Sequence, residues 1–135
     1  MKNTYKQVVA AALFCSFAGT TMAAELVVIA NPAVGPLTKD QVADLFLGKS
    51  QTFTPIDQTD GSAIYAEFYK KATGRDVAQV KSTWSRVVFS GKGQAPKQLV
   101  DSAAVKKAVA ADPKGVGYIE KSAVDATVKA VLSLD

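Results

Sequence analysis

The chain has 135 residues, with 16 Lys and Arg against 12 Asp and Glu, one Cys and no His. That length supports one domain with a single core. The absence of His removes the usual base of Ser or Cys nucleophiles and a main metal ligand, and a scattered formal charge of +4 is too small for a nucleic-acid footprint.

The first 23 residues read as a secretory leader. Lys2 and Lys6 precede the apolar run Val8 to Ala18, and Thr21-Met22-Ala23 supplies small residues for cleavage after Ala23. The run is too short to span a bilayer, which takes about 20 residues. Cys15 leaves with the leader, and bulky Phe14 before it argues against lipid attachment. The expected organisation is a signal peptide over 1–23 and one domain over 24–135. Removing Lys2 and Lys6 lowers the formal charge from +4 to +2 and leaves no Cys, so disulfides play no part in the expected fold.

Glu25 to Asn31 is a β-branched run that predicts a buried strand ended by Pro32. Thr38 and Gln41 make a capping box for a helix with Val42, Leu45 and Phe46 on one face, stopped by Gly48. Phe53 to Gln58 is a short strand containing Pro55. A helix follows Gly61-Ser62, with Ile64, Phe68 and Ala72 on a face beside Tyr65 and Tyr69, and Gly74 ends it. Asp76 and Gln79 form a second capping box, opening a helix with a wide stripe of Val77, Val80, Trp84, Val87 and Val88. Gly91 to Lys97 reads as a basic, Pro-containing loop, and Ser102 to Ala111 as a small helix. Strands over Val116 to Glu120 and about Val128 to Leu134 complete the chain. Helices between strands predict an α/β layer fold with a mixed or largely parallel sheet.

Most chemical motifs fail on their own terms. Gly48-Lys49-Ser50 lacks the leading Gly of a P-loop and follows a helix instead of opening one. An EF-hand frame over Asp60, Gly61 and Glu67 puts Ile56 at the first ligand position. Gly91-Lys92-Gly93 is either an anion-holding turn or, more simply, a helix-to-loop joint. Asp57, Asp60 and Glu67 show no spacing that places two on one site, and solvated surface acids are the default. Trp84 and the tyrosines fit a core better than a stacking platform. No enzyme, metal or cofactor is expected. The start of the helix after Gly61 keeps two readings: Ser62 is an N-cap worth about 1 kcal/mol, or the turn cradles an anion with free N–H groups.

Four segments read together: LTKDQVADLFLGK (Leu37 to Lys49), DQTDGSAIYAEFY (Asp57 to Tyr69), FSGKGQAP (Phe89 to Pro96) and DPKGVGYIE (Asp112 to Glu120). In this order and spacing they resemble the substrate-binding proteins of phosphate ABC transporters, over roughly Glu25 to Leu134. The resemblance implies a single periplasmic-binding-protein-like (type II) lobe, a mixed β-sheet flanked by helices, where that family has two such lobes around its phosphate. It implies a non-enzymatic periplasmic protein that binds phosphate or a related oxyanion for ABC-type uptake or sensing. It further implies a second lobe from a homodimer or another protein, and contact with transporter membrane subunits. The family motif, Arg then Asp-Gly-Ser-Gly-Thr, falls on Gln58 to Ile64. Asp60, Gly61 and Ser62 match, while Gln58 replaces the Arg, Ala63 the second Gly and Ile64 the Thr. The implied ligand-binding set is Gln58, Asp60, Gly61, Ser62 and Ala63. The alternative is a periplasmic interaction module that keeps the lobe and has lost the ligand.

Overall fold

The computed structural model describes residues 25–134. The expected leader, Cys15 and the cleavage point lie outside them. The elements in chain order are β1 (Leu26–Ala30), α1 (Lys39–Phe46), β2 (Thr54–Gln58), α2 (Ala63–Thr73), α3 (Val77–Phe89), β3 (Lys97–Leu99), α4 (Ser102–Ala111), β4 (Gly115–Glu120), a 3₁₀ turn (Lys121–Ala123) and β5 (Lys129–Leu134). Among the described residues no helix is long and apolar enough to cross a membrane.

The five strands form one sheet in the order β3-β2-β4-β1-β5. β2 runs parallel to β3 and β4, and β1 runs antiparallel to β4 and β5. The expected mixed sheet is therefore present. β3 was not expected, since its residues lie at the end of the basic loop and just beyond it, where the sequence reads as irregular. Lys97 and Gln98 are exposed and the strand has only three residues, so no alternation marks it. Its pairing with β2, Ile56 with Lys97 through Gln58 with Leu99, is long-range and invisible to local pattern.

Helices cover both sheet faces. On one, α1, α2 and α3 pack Phe46, Phe68, Tyr69, Val80 and Trp84 onto Leu26, Val28 and Tyr118. On the other, α4 packs Val105 and Val109 onto Val27, Ile29, Ile56 and Ile119. Alternate residues of β1 point to opposite layers, and both layers are closed, so β1 is buried throughout. The Phe68 and Tyr118 rings stack at 3.7 Å with 4° between planes. Phe46 meets Phe68 edge-on at 4.8 Å. The Trp84 indole N–H donates to the Phe46 carbonyl at 2.8 Å, tying α3 to the end of α1.

Both capping boxes are formed, at Thr38 with Gln41 and at Asp76 with Gln79. The α3 stripe is narrower than the sequence predicts. Val80 and Trp84 are buried and Val87 packs against the same core, but Val88 is 50% exposed and Phe89 95% exposed. Gly91 takes the left-handed conformation at φ 71, and the Lys92 N–H donates to the Val87 carbonyl. Gly91-Lys92-Gly93 thus makes the helix-to-loop joint.

Candidate functional site

Topology singles out one edge of the sheet. β2 and β3 are parallel neighbours, yet the chain leaves β2 into α2 on one face and leaves β3 into α4 on the other. Divergent connections open a crevice at the carboxyl ends of such strands, where open α/β sheets bind ligands. The Thr59 to Ser62 turn lies there. It is pinned to β3 by the Thr59 N–H on the Leu99 carbonyl at 3.0 Å and by the Asp60 N–H on Gln98 Oε1 at 3.3 Å.

The Ser62 hydroxyl is engaged in holding that turn. Its oxygen accepts from the Tyr65 N–H at 3.3 Å, and its proton goes to the Thr59 carbonyl at 2.6 Å. Ser62 is thus the N-cap of α2. The N–H groups of Gly61, Ala63 and Ile64 have no acceptor among the described residues. Gly61 is exposed and a Cβ there would meet nothing within 4 Å. The turn therefore presents free donors at the positive end of a helix.

The other members of the expected set sit differently. Gln58, in the place of the family's Arg, is only 3% exposed. Its amide donates to Ser102 Oγ at 3.2 Å and to the Tyr118 carbonyl at 3.0 Å. It lies on the α4 side of the sheet, away from α2. Asp60 pairs with Lys81 of α3 at 3.1 Å, both half-exposed at the surface.

Asp57 corrects the expectation of a solvated acid, since it is 2% exposed. One carboxylate oxygen accepts from the Tyr69 hydroxyl at 2.6 Å, and the other from the Tyr118 hydroxyl and from the Gln58 N–H at 3.0 Å. Burial pushes its pKa up from 3.8 to about 6, against the lowering effect of these three donors. Burial, with the Asp57 charge next to them, also raises both tyrosine hydroxyls far above their ordinary range. Tyr65 is pushed up to about 12 by the same causes. No ion pair reaches Asp57 among the described residues.

Asp57 and Asp60 also line one groove of about 630 Å³. This overturns the expectation that no two of the acids share a site. The cause is the short turn that folds Asp60 back over the end of β2. α3 contributes Lys81, Trp84, Val88 and Phe89 to the groove, and the lead into β3 contributes Ala95, Pro96 and Gln98. Trp84 and the buried tyrosines keep the core role expected of them, though Tyr65 and Trp84 each also expose an edge to this groove.

No family model and no curated protein matches the chain. Among solved structures the fold is similar to that of an ABC-type phosphate transport receptor from Vibrio cholerae, at 20% identity and a TM-score of 0.62, over 79% of this chain and 45% of that one. It is also similar to a protein from Clostridium perfringens described as a phosphate ABC transporter substrate-binding protein with bound phosphate. That match has 21% identity and a TM-score of 0.59, over 79% of this chain and 44% of the other. The chain spans less than half the length of the solved chains it matches. The resemblance carried by the four sequence segments thus holds at the level of the fold, and the chain has a periplasmic-binding-protein-like α/β fold.

Proposed function

We propose that the chain is an exported, non-enzymatic solute-binding lobe whose α2 start takes hydrogen phosphate or a related protonated oxyanion. The observation that carries this reading is the set of free N–H groups at Gly61, Ala63 and Ile64, held by the Ser62 cap in the crevice at the carboxyl ends of β2 and β3. In this reading Ser62 positions the donors, and Gln58 braces the end of β2 from the far side. Asp60 can only accept a hydrogen bond when ionised, so it suits an oxyanion that keeps a proton at neutral pH and disfavours sulfate. The likeness to a phosphate transport receptor and to a substrate-binding protein with bound phosphate supports the ligand class. In this reading a second lobe, from another copy or another protein, closes over the anion in the periplasm, beside a transporter's membrane subunits.

The magnitudes set the expected affinity. A helix start contributes up to about 2 kcal/mol, and micromolar binding needs about 8 kcal/mol. With no Arg to clamp the anion, the isolated lobe binds in the millimolar range, and closure by a second lobe tightens it. Calorimetry with phosphate and sulfate tests this, and no heat with millimolar phosphate refutes the ligand. Light-scattering mass with and without phosphate tests the second copy.

A second reading rests on two exposed apolar side chains, Phe89 of the groove at 95% and Val100 at 81%. Such residues suit an interaction module that keeps the lobe without its anion. Ser62→Ala separates the two. The oxyanion reading expects phosphate binding to weaken beyond the loss of stability, and the interaction reading expects only a cap's loss of about 1 kcal/mol.

A further inference from the structure

Asp57 is the one carboxylate in the described core, and its charge has no cationic partner there. A buried charge is ordinarily paired, because hydrogen bonds replace only part of the lost hydration. Asp57 has three donors and no counter-charge. Above its floor lies a groove of about 630 Å³, within the range of small-molecule pockets. The groove's balance of charge is two carboxylates, Asp57 and Asp60, against the single ammonium of Lys81, which Asp60 already engages. Its walls are aromatic and apolar, with Tyr65, Trp84, Val88, Phe89 and Pro96. The last turn of α3 lines it too, and the C-terminal end of a helix favours positive charge.

We propose that this groove binds a small organic cation with an apolar body, its positive charge over Asp57 and its body against the Trp84–Val88–Phe89 wall. The ligand supplies the counter-charge that the fold omits, and the apolar wall covers its body. The cation site shares Asp60 with the oxyanion reading but centres on Asp57 and uses none of the free N–H groups of α2.

Trp84 is the only Trp of the chain, so its emission reports the groove directly. The full chain is titrated at pH 7.5 with benzyltrimethylammonium, with neutral benzyl alcohol and with inorganic phosphate. The expected result is a saturable emission change with the ammonium probe at concentrations where benzyl alcohol has little effect. Lys81→Met, which removes the competing cation from an exposed position, tightens the ammonium probe roughly two- to fivefold. Lowering the pH through about 6 protonates Asp57 and weakens it. The groups facing Asp57 are Tyr65 and Tyr69 from α2, Tyr118 from β4, Asp60 from the turn and Lys81 from α3. All three tyrosines are raised away from this window. The probe's charge is permanent, so the pH response belongs to the protein. Equal affinity for benzyl alcohol, or Lys81→Met binding no tighter, overturns the proposal. A response to phosphate with none to the ammonium probe also overturns it and leaves the oxyanion reading standing. A response to the ammonium probe alone supports it and counts against the oxyanion reading.

Discussion

Tyr69→Phe probes the buried carboxylate most sharply. It removes the hydroxyl that donates to Asp57 at 2.6 Å while keeping the ring packed between Phe46 and Phe68. Burial raises the Asp57 pKa from 3.8 unfolded to about 6 folded. A raised carboxylate favours the protonated folded state, so its contribution is fully present below about 3.8 and is lost as pH rises through about 6. That window is worth about 3 kcal/mol. At pH 8 the lost bond is to a charged acceptor, and Tyr69→Phe costs about 1.5–3 kcal/mol. At pH 4, where the Asp57 carboxyl is neutral, the cost falls to about 0.5–1.5 kcal/mol. The difference moves the Asp57 titration upward by about one pH unit. Urea unfolding of the parent and the variant at both pH values measures the two losses, and the carboxyl carbon shift of Asp57 follows its titration. Equal losses, or a larger loss at pH 4, refute the placement of a charged Asp57 under the Tyr69 hydroxyl.

Gly117→Ala is expected to lower stability by about 1–3 kcal/mol, seen as a fall in Tm, because a Cβ there would meet Val105 Cγ1 at 2.6 Å and Val109 Cγ2 at 3.1 Å and push α4 off the sheet. An unchanged Tm means that α4 does not pack on β4 at that level. Trp84→Phe leaves the buried Phe46 carbonyl without its donor and costs about 1–3 kcal/mol by chemical denaturation. A loss under about 0.5 kcal/mol denies that bond a structural part.

Local chemistry was the legible part of the sequence. Thr38 with Gln41 and Asp76 with Gln79 specify their helix starts within four residues, and both boxes form. The Asp60-Gly61-Ser62 turn was also legible, because a short polar run before an amphipathic stretch has few other uses. Long-range causes were hidden. The two side-chain donors that let Asp57 enter the core come from positions 12 and 61 residues away, so the residues beside Asp57 do not announce them. One cue was available: Ile56, Asp57 and Gln58 lie in a strand whose neighbour β4 is uncharged and buried from Gly115 to Ile119, as expected of a strand covered on both faces. β3 was hidden for the same reason, since it exists only through its pairing with β2. Helical spacing puts Val88 in the α3 stripe, but spacing gives a direction and not whether a partner is present to cover it.

The central claim is that the α2 start holds a protonated oxyanion on the N–H groups of Gly61, Ala63 and Ile64. Amide chemical shifts of the ¹⁵N-labelled chain, followed during titration with phosphate and in parallel with sulfate, test it most directly. The account predicts saturable movement of those three amides with millimolar phosphate, and weaker movement with sulfate. Shifts that leave Gly61, Ala63 and Ile64 in place, or that follow sulfate as closely as phosphate, contradict it.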